Sequence, residues 1–368
     1  MTSFPDSLVE SPEGLEEVLG RIGEPTDIPL DTEFMRVNTY TPQLALIQIA
    51  AGDAIFCIDP ANGLDLSPLW EHLVSAEHCK IMHSAKQDYE AIYFALGKVP
   101  DNLFDTQIAA GLCGHPAQIG YAGLCNTLLG VELPKTQTRS DWLRRPLSPE
   151  QIHYAAEDVV HLGEIAERLR ESLEQLGRTE WAREDAADMG DISLYAPAPE
   201  DAWKRIKSIP FMRPAQQALA RALAQWREER AVQLDRPRSW ILSDQAIREL
   251  VETNPADMDA LNRCKELPPA TKRKQGEYIV KLLQKTNAAV KDGSLRFEQQ
   301  ATPGDDHKQR VRQMAGTIKA CADELGIAAE VLGSKRELNA IVAGDLTQRP
   351  LRGWRKELIG EQLLAELN

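Results

Sequence analysis

Two carboxylates, Asp31 and Glu33, lie two residues apart in the segment 27–34, whose other residues are mostly apolar. Because side chains alternate across a strand, residues two apart leave the same face of a sheet. Carboxylates that are buried without partners are costly unless protons or a cation neutralise them. The pair therefore suggests a hard divalent cation held by oxygen ligands, with an ordinary surface-facing pair as the alternative.

Three more residues could contribute to the same chemistry. Asp88 follows a short strand-like segment at a helix start, and such junctions lie at the carboxyl edge of α/β sheets, where ligands collect. The helix dipole alone also favours an acidic residue there. Tyr154 and Asp158 are spaced i, i+4 and share one helix face. They could be part of a site, or an ordinary core tyrosine whose hydroxyl is satisfied by Asp158.

Apolar spacing predicts the elements that must position these side chains. Three runs of strand length indicate a meander, and shorter strands alternate with helices after it. The pattern favours the α/β class, with a mixed sheet that has an antiparallel edge hairpin and is covered by helices. The predicted strands are 27–34, 44–49, 54–58, 80–83 and 102–105, and the predicted helices are 66–76, 85–96, several through 106–130, and one from Ser148 to about Leu176.

Loss of periodicity and a cluster of prolines mark domain boundaries further along the chain. We expect a first domain over 1–190, a linker over 191–207, an all-helical domain over 208–296 and a second helical domain over 305–368. The two helical segments could be distant copies of one module.

The net charge of the 368-residue chain also differs from one of these segments to the next. The net charge of −14 is the sum of −21 in residues 1–201, +7 in 202–300 and zero in 301–368. Because phosphate binding is driven by Lys and Arg, affinity for a polyanion is expected in the middle of the chain. A solvated basic face is the alternative. The candidate backbone contacts there are Lys204, Arg205, Lys207, Lys272, Arg273 and Lys274.

Other features narrow the class of protein. The six cysteines form no C-x-x-C pair, which argues against a zinc site or a disulfide framework and favours a reducing cytoplasm. Residues 1–17 lack the apolar run of an export signal, and no uncharged stretch is long enough for a membrane span. Neither a membrane partner nor export is expected.

Taken together, the motifs resemble the DEDD superfamily of 3′→5′ exonucleases, and specifically the ribonuclease D family with a tyrosine in its third motif. The resemblance covers about residues 25–175; residues 208–290 are similar to an HRDC helical domain, and the tail resembles a second, more divergent copy. The segments that carry it, beside the carboxylates and Tyr154, are Leu44 to Ile49, Phe104 to Thr106, Ser140 to Trp142 and Arg145 to Leu147.

The resemblance implies a ribonuclease-H-like sheet that bears two divalent cations, Mg²⁺ or Mn²⁺. If the family's residue roles apply at the matching positions, Asp31 would contact both ions, and Glu33 and Asp158 would hold the ion that activates water. Asp88 would hold the second ion, and Tyr154 would orient the attacking hydroxide. The implied partner is RNA with a single-stranded 3′ end, such as a tRNA precursor; no protein partner is implied.

One ambiguity concerns the residue that assists the attack. His153 to Asp158 also fits the H-x-A-x-x-D pattern of the sister subgroup that uses histidine. Five residues turn a side chain about 140° around a helix, against about 40° for four, which favours Tyr154 over His153. Lys135, Arg139, Trp142 and Arg145 could clamp phosphates and stack a base, or belong to a loop that only caps the last helix.

Three hypotheses follow. The first is an exoribonuclease that trims RNA 3′ ends, the second is the same chemistry on DNA in repair or proofreading, and the third is a non-catalytic RNA-binding adaptor. The presence of all four carboxylates and Tyr154 disfavours the third.

Overall fold

The computed structural model describes residues 8–23, 27–133, 140–300 and 304–367. The chain divides into two compact units. The first contains residues 1–35, 43–195 and 305–368, and the second contains 36–42 and 196–304. None of the helices in the described part of the chain combines the length and apolar character that crossing a bilayer requires.

The first unit is built on a mixed sheet, which confirms the predicted fold class. The described strands β1 to β6 are Leu8–Val9, Asp27–Met35, Gln43–Ala51, Ala54–Ile58, Cys79–Met82 and Leu103–Asp105. Their order across the sheet is β1-β4-β3-β2-β5-β6. The meander β2-β3-β4 is antiparallel, whereas β5 and β6 continue the sheet parallel to β2. The central strand β2 therefore has an antiparallel neighbour on one side and a parallel one on the other.

Helices cover both faces of this sheet. Helices α1 to α8 are Pro12–Ile22, Ser67–Val74, Lys86–Leu96, Thr106–Leu112, Tyr121–Leu129, Pro149–Val160, Leu162–Gln175 and Thr179–Ala187. One face buries Ile28, Leu30, Ile47 and Ile49 under helices that include α1 and α3. The opposite face of the meander is packed by α6.

The long helix expected from Ser148 to about Leu176 is instead two helices, α6 and α7, with a break at His161. The backbone N–H of His161 is directed to the Tyr121 hydroxyl at 3.2 Å. A tertiary contact with a residue 40 positions away thus interrupts a segment whose apolar spacing is continuous.

The second unit is a helical domain. Helices α9 to α13 are Pro214–Leu234, Arg238–Ile241, Asp244–Thr253, Met258–Asn262 and Pro269–Lys291. Their core contains Leu223, Ile247, Leu250, Ile279 and Leu283. Most of these residues recur at helical spacing, as expected for the all-helical domain predicted over 208–296.

Two short segments belong to this second unit although the sequence did not predict it. Part of the expected linker over 191–207 is folded, because Pro199–Arg205 forms 3₁₀ turns and Ala202 and Ile206 enter the helical core. Residues 36–42, which join β2 to β3, also belong to it. There the Asp235 carboxylate accepts hydrogen bonds from the backbone N–H groups of Tyr40 and Thr41 at 2.9 and 3.0 Å.

The C-terminal segment 305–367 packs within the first unit. Helices α14 to α18 are Asp305–Leu325, Ala329–Leu332, Lys335–Val342, Gly353–Arg355 and Glu361–Ala365, the last two joined by a π turn. Val311, Met314 and Ile318 share one apolar core with Leu112 and Leu169 of the nuclease helices. Trp354 stacks on Trp181 with ring centroids 4.4 Å apart. This tail therefore completes the core of the first unit.

Substituting Trp354→Ala is expected to destabilise the first unit by about 3–5 kcal/mol, because it removes a buried aromatic side chain from a shared core. Thermal unfolding of the full chain measures this loss as a lower Tm. Leu346→Ala is the matched control, since Leu346 lies in the same segment with half of its surface exposed. An equal effect of the two substitutions would contradict a core role for the tail.

Candidate active site

The two carboxylates of β2 face the α6 side of the sheet. Asp31 lies directly opposite Gln48 of β3, and Glu33 lies opposite Leu46. The register of the ladder shifts immediately after Glu33, and such irregularities bend a strand at the positions where side chains must be aimed. Both carboxylates are half-buried. They leave the same face of β2, as their two-residue spacing predicted.

Asp88 comes to the same site from the first turn of α3. Its side chain is buried, and one carboxylate oxygen accepts a hydrogen bond from the Thr32 hydroxyl at 2.6 Å. Because Thr32 lies between Asp31 and Glu33 in the strand, this hydrogen bond ties α3 to the acidic strand. The sequence singled out Asp88 but assigned nothing to Thr32.

A second aspartate, Asp105, fixes where α3 begins. Its carboxylate accepts hydrogen bonds from the backbone N–H groups of Ser84 and Ala85 at 3.2 and 2.8 Å, and it also caps α4. Ser84 has a φ of 60°, a left-handed conformation that is unfavourable for a side chain with a Cβ. Asp105 therefore holds the strained turn that sets the position of Asp88.

Helix α6 supplies the remaining side chains. Ser148 and Gln151 form a reciprocal capping box at its start, at the residue where the sequence predicted that the helix begins. Ala155 and Ala156 are completely buried, and such small residues let the helix approach the sheet closely. Tyr154 and Asp158 consequently reach the carboxylates of β2, and the side chains of Tyr154 and Asp158 interact with each other.

The structure brings Tyr154, not His153, to the acidic cluster. The His153 side chain is 43% exposed, and its Nε2 lies 3.4 Å from Glu157. The Tyr154 ring is instead half-buried beside Trp142, with ring centroids 6.2 Å apart. On this helix the four-residue spacing to Asp158 thus selects the tyrosine.

The pKa values of the four carboxyl groups reflect their burial first and the neighbouring negative charges second. Burial raises the pKa of Glu33 to about 8, with further contributions from the negative charges of Asp158 and Asp88. Burial likewise raises the pKa of both Asp88 and Asp158 to about 7. For Asp31, burial and three neighbouring carboxylates hold the pKa well above its ordinary value. Four groups that resist ionisation together form a site for positive charge.

The donor set fits divalent cations. Carboxylate oxygens are the ligands that hard divalent ions prefer. Within the described residues no three Asp, Glu, His or Cys side chains are grouped closely enough to hold a metal ion as they stand; the four carboxylates form an open cluster whose charge a cation would neutralise. Both polar atoms of the Gln48 amide are buried and lack a hydrogen-bond partner in the described chain. Since residues opposite each other in a ladder share a face, this amide lies on the Asp31 side of the sheet.

Trp142 and Arg145 were predicted to contact substrate, and in the structure both side chains contact other parts of the protein. Trp142 is 4% exposed and packs in an apolar cluster. The Arg145 guanidinium forms a bidentate ion pair with the buried Asp59, at 2.5 and 2.7 Å, and donates to the Ala45 carbonyl at 2.8 Å. These contacts hold the segment before α6 against the β2-β3-β4 meander. Both side chains therefore help to position α6 and do not form part of the acidic cluster. Lys135 and Arg139 lie outside the described residues.

Comparison with known proteins places this geometry in a class. The 3′-5′ exonuclease family model matches residues 7–174, and the HRDC domain model matches residues 216–283. The ribonuclease D of Gluconacetobacter diazotrophicus is 35% identical over 98% of this chain and 93% of that protein. The ribonuclease D of Xanthomonas oryzae pv. oryzae is 36% identical over 93% of each chain.

A solved structure extends the likeness to the whole fold. The crystal structure of Escherichia coli RNase D superposes with a TM-score of 0.89 at 29% identity, over 98% of both chains. The fold and the acidic cluster thus define a 3′→5′ exonuclease of the class that depends on divalent metal ions. Within that class, the chain belongs to the ribonuclease D family and is a 3′→5′ exoribonuclease. The resemblance seen in the sequence is confirmed.

The raised pKa values predict an unusual dependence of stability on pH. In the folded state these carboxyl groups keep protons that the unfolded chain releases near the ordinary pKa values of 3.8 and 4.5. The metal-free protein should therefore lose stability as pH rises from about 4 to 8. Because cations bind only the ionised carboxylates, saturating Mn²⁺ should add about 2–3 kcal/mol at pH 8 and clearly less at pH 6.

Thermal unfolding with and without Mn²⁺ at the two pH values measures this difference. Asp31→Asn is the informative variant: it should raise the Tm of the metal-free protein at pH 8 and remove most of the gain from Mn²⁺. An equal rise in Tm from Mn²⁺ at pH 6 and at pH 8 would show that the pKa values of these carboxyl groups are not raised in the folded protein.

Proposed function

We propose that this chain removes nucleotides one at a time from single-stranded 3′ ends of RNA, including tRNA precursors and other small structured RNAs, and releases nucleoside 5′-monophosphates. The observation that carries the proposal is the meeting of five side chains from three distant segments in one acidic cluster. Relatives named ribonuclease D match over almost their full length. The similar Escherichia coli protein is an exoribonuclease involved in structured RNA processing.

In this proposal Asp31, Glu33, Asp88 and Asp158 hold two divalent cations, Mg²⁺ or Mn²⁺. When bound, such a pair supplies charge stabilisation to the attacking water and to the leaving 3′ oxygen during in-line displacement. The water oxygen forms the new bond to phosphorus, the bond from phosphorus to the 3′ oxygen breaks, and the shortened strand keeps a 3′ hydroxyl. The mutual repulsion of the four carboxylates supports this assignment, because it disappears when positive charge enters the cluster.

Tyr154 acts in this proposal by orienting the attacking water. Burial and the negative charges of Asp158, Glu33 and Asp31 raise the pKa of the Tyr154 hydroxyl above its ordinary value of 10. The phenol therefore stays protonated at neutral pH and serves as a hydrogen-bond donor and acceptor rather than as a general base. Its packing beside Trp142 and its interaction with Asp158 keep the ring next to the cluster.

The helical parts are proposed to be two HRDC-type modules, over 208–296 and 305–368, the second divergent. The order of their helices supports a common origin. Each begins with a helix of 21 residues, α9 or α14, followed by a helix of four residues, α10 or α15. Each then has a helix capped by a serine side chain, Ser243 for α11 and Ser334 for α16.

The main test compares matched RNA and DNA oligonucleotides labelled at the 5′ end, digested by the full chain with Mg²⁺ or Mn²⁺. RNA should be shortened stepwise from its 3′ end faster than DNA, and EDTA should stop the reaction. Asp158→Ala should lower turnover at least about 10³-fold, roughly 4 kcal/mol of barrier, with its fold retained. A preference for DNA would replace the proposed substrate, and near-normal turnover by Asp158→Ala would refute the proposed site.

A second test separates the two residues that could assist the attack. Tyr154→Phe removes only a hydroxyl from the cluster and should lower kcat about 10- to 100-fold with little change in KM. His153→Ala is the matched control on the adjacent, exposed position, and its kcat should remain within about twofold of the wild type. The reverse order of these effects would assign the chain to the histidine subgroup.

A further inference from the structure

The second unit contains a cavity that the exonuclease reaction does not use. It has a volume of about 630 Å³ and lies where α9 passes the beginning of α11. Four arginines line it, together with polar groups from the start of α11. The four arginines are Arg205, Arg227, Arg238 and Arg248, and the lining contains one acid, Asp244. One carboxylate in the lining does not balance four guanidinium groups.

Two of the four arginines are already neutralised within the protein. Arg238 forms a bidentate ion pair with the buried Glu228, both contacts being 2.6 Å. Arg227 is only 4% exposed and donates to the Asp244 carboxylate at 2.5 Å. These pairs balance two positive charges and fix the guanidinium groups in place.

The other two positive charges have no carboxylate of their own, and Arg205 acts only at a distance on Glu228, which Arg238 already pairs with. Arg205 and Arg248 are exposed, and neither forms an ion pair or hydrogen bond with a described residue. A network that only stabilised the fold would not need them, since Arg227 and Arg238 already join the helices. The cavity therefore has an excess of about two positive charges, which matches one or two phosphate groups.

Two features of the residues around the cavity favour a bound anion. The Nε atom of Arg227, one of the lining residues, is buried and has no hydrogen-bond partner in the described chain, so the protein does not fully satisfy this guanidinium. The cavity is also lined by the beginning of α11, a ten-residue helix. The first N–H groups of a helix lack intrahelical acceptors and favour an anion. Phosphate oxygens would accept from these N–H groups and from the exposed guanidinium groups.

A neighbouring aromatic side chain favours a nucleic acid over a free phosphate as the source of the anion. Trp240 lies in the same short helix as Arg238 and is 56% exposed. Arg236 lies beside its ring, 5.8 Å from the centroid. An exposed tryptophan next to arginines is the combination on which bases of a single strand stack.

We propose that this cavity, defined by Arg205, Arg227, Arg238 and Arg248, is a binding site for backbone phosphate of the RNA substrate, on a different unit from the acidic cluster. The site contributes to holding the strand and takes no part in hydrolysis. This inference rests on the proposed RNA function. It adds the location at which the positively charged segment 202–300 contacts the RNA.

The test uses the full chain in EDTA, so that RNA is bound but not cut. Binding of a fluorescein-labelled single-stranded RNA is followed by fluorescence anisotropy, at potassium chloride concentrations from about 50 to 200 mM. The double variant R205A/R248A should weaken binding about fivefold to tenfold. It should also make the plot of log K against log salt shallower by about 0.7 for each phosphate that the variant no longer neutralises.

The matched control is R263A/R296A, which removes two exposed arginines of the same unit that do not line the cavity. Binding by this control should stay within about twofold of the wild type. Both variants replace exposed side chains, so an unchanged Tm shows that each is folded. Equal weakening by the two variants would mean that only overall charge matters, and the proposal would be overturned.

Two further outcomes are distinguishable. If inorganic phosphate raises the Tm of the wild type but not of R205A/R248A, while both bind RNA alike, the cavity holds a free phosphate and the RNA assignment is wrong. If the wild type digests DNA in preference to RNA and does not bind RNA in EDTA, the proposed function itself fails. Normal RNA digestion by the wild type together with unchanged binding by R205A/R248A would refute the cavity alone.

Discussion

The burial of four carboxylates near one another is the constraint around which the first unit is built. Burial, with smaller contributions from neighbouring negative charges, raises the pKa of Asp31, Glu33, Asp88 and Asp158. Such an arrangement does not stabilise a protein by itself. It persists because a packed sheet and two helices hold the backbone in place, so the stability of the apolar core compensates for the strain of the site.

The chain contains other buried acids whose surroundings show what sets these four apart. Asp59 is completely buried, but Arg145 neutralises it with two hydrogen bonds. Asp105 is 4% exposed, and backbone N–H groups from two helix starts satisfy its oxygens. Asp59 and Asp105 are structural because the protein supplies their donors. The four cluster residues have few such donors and face one another, and an acid with that environment is arranged for a ligand of opposite charge.

The sequence predicted the parts of this design that depend on local spacing, and missed the parts that depend on distant contacts. The two-residue spacing of Asp31 and Glu33 and the four-residue spacing of Tyr154 and Asp158 each follow from the geometry of one element, and the structure has them on shared faces. Arg145 was expected to contact substrate because it belongs to a basic stretch that contains a tryptophan; in the structure it pairs with Asp59, which lies 86 residues away. Likewise, the break at His161 depends on Tyr121, and the folded part of the expected linker depends on the core of α9.

The two C-terminal helical segments have a similar order of helices but bury their apolar residues in different ways. In the second unit the apolar faces pack on one another, and charged groups such as Arg205 and Arg248 remain on the surface around a cavity. In residues 305–367 the first helix turns Val311, Met314 and Ile318 towards the nuclease helices, and Arg355 pairs with Asp185 at 2.6 Å. Residues 202–300 carry a net charge of +7 and residues 301–368 a net charge of zero. A helical segment whose apolar faces pack on one another leaves arginines at its surface, whereas the segment that completes the nuclease core uses Arg355 as an internal partner.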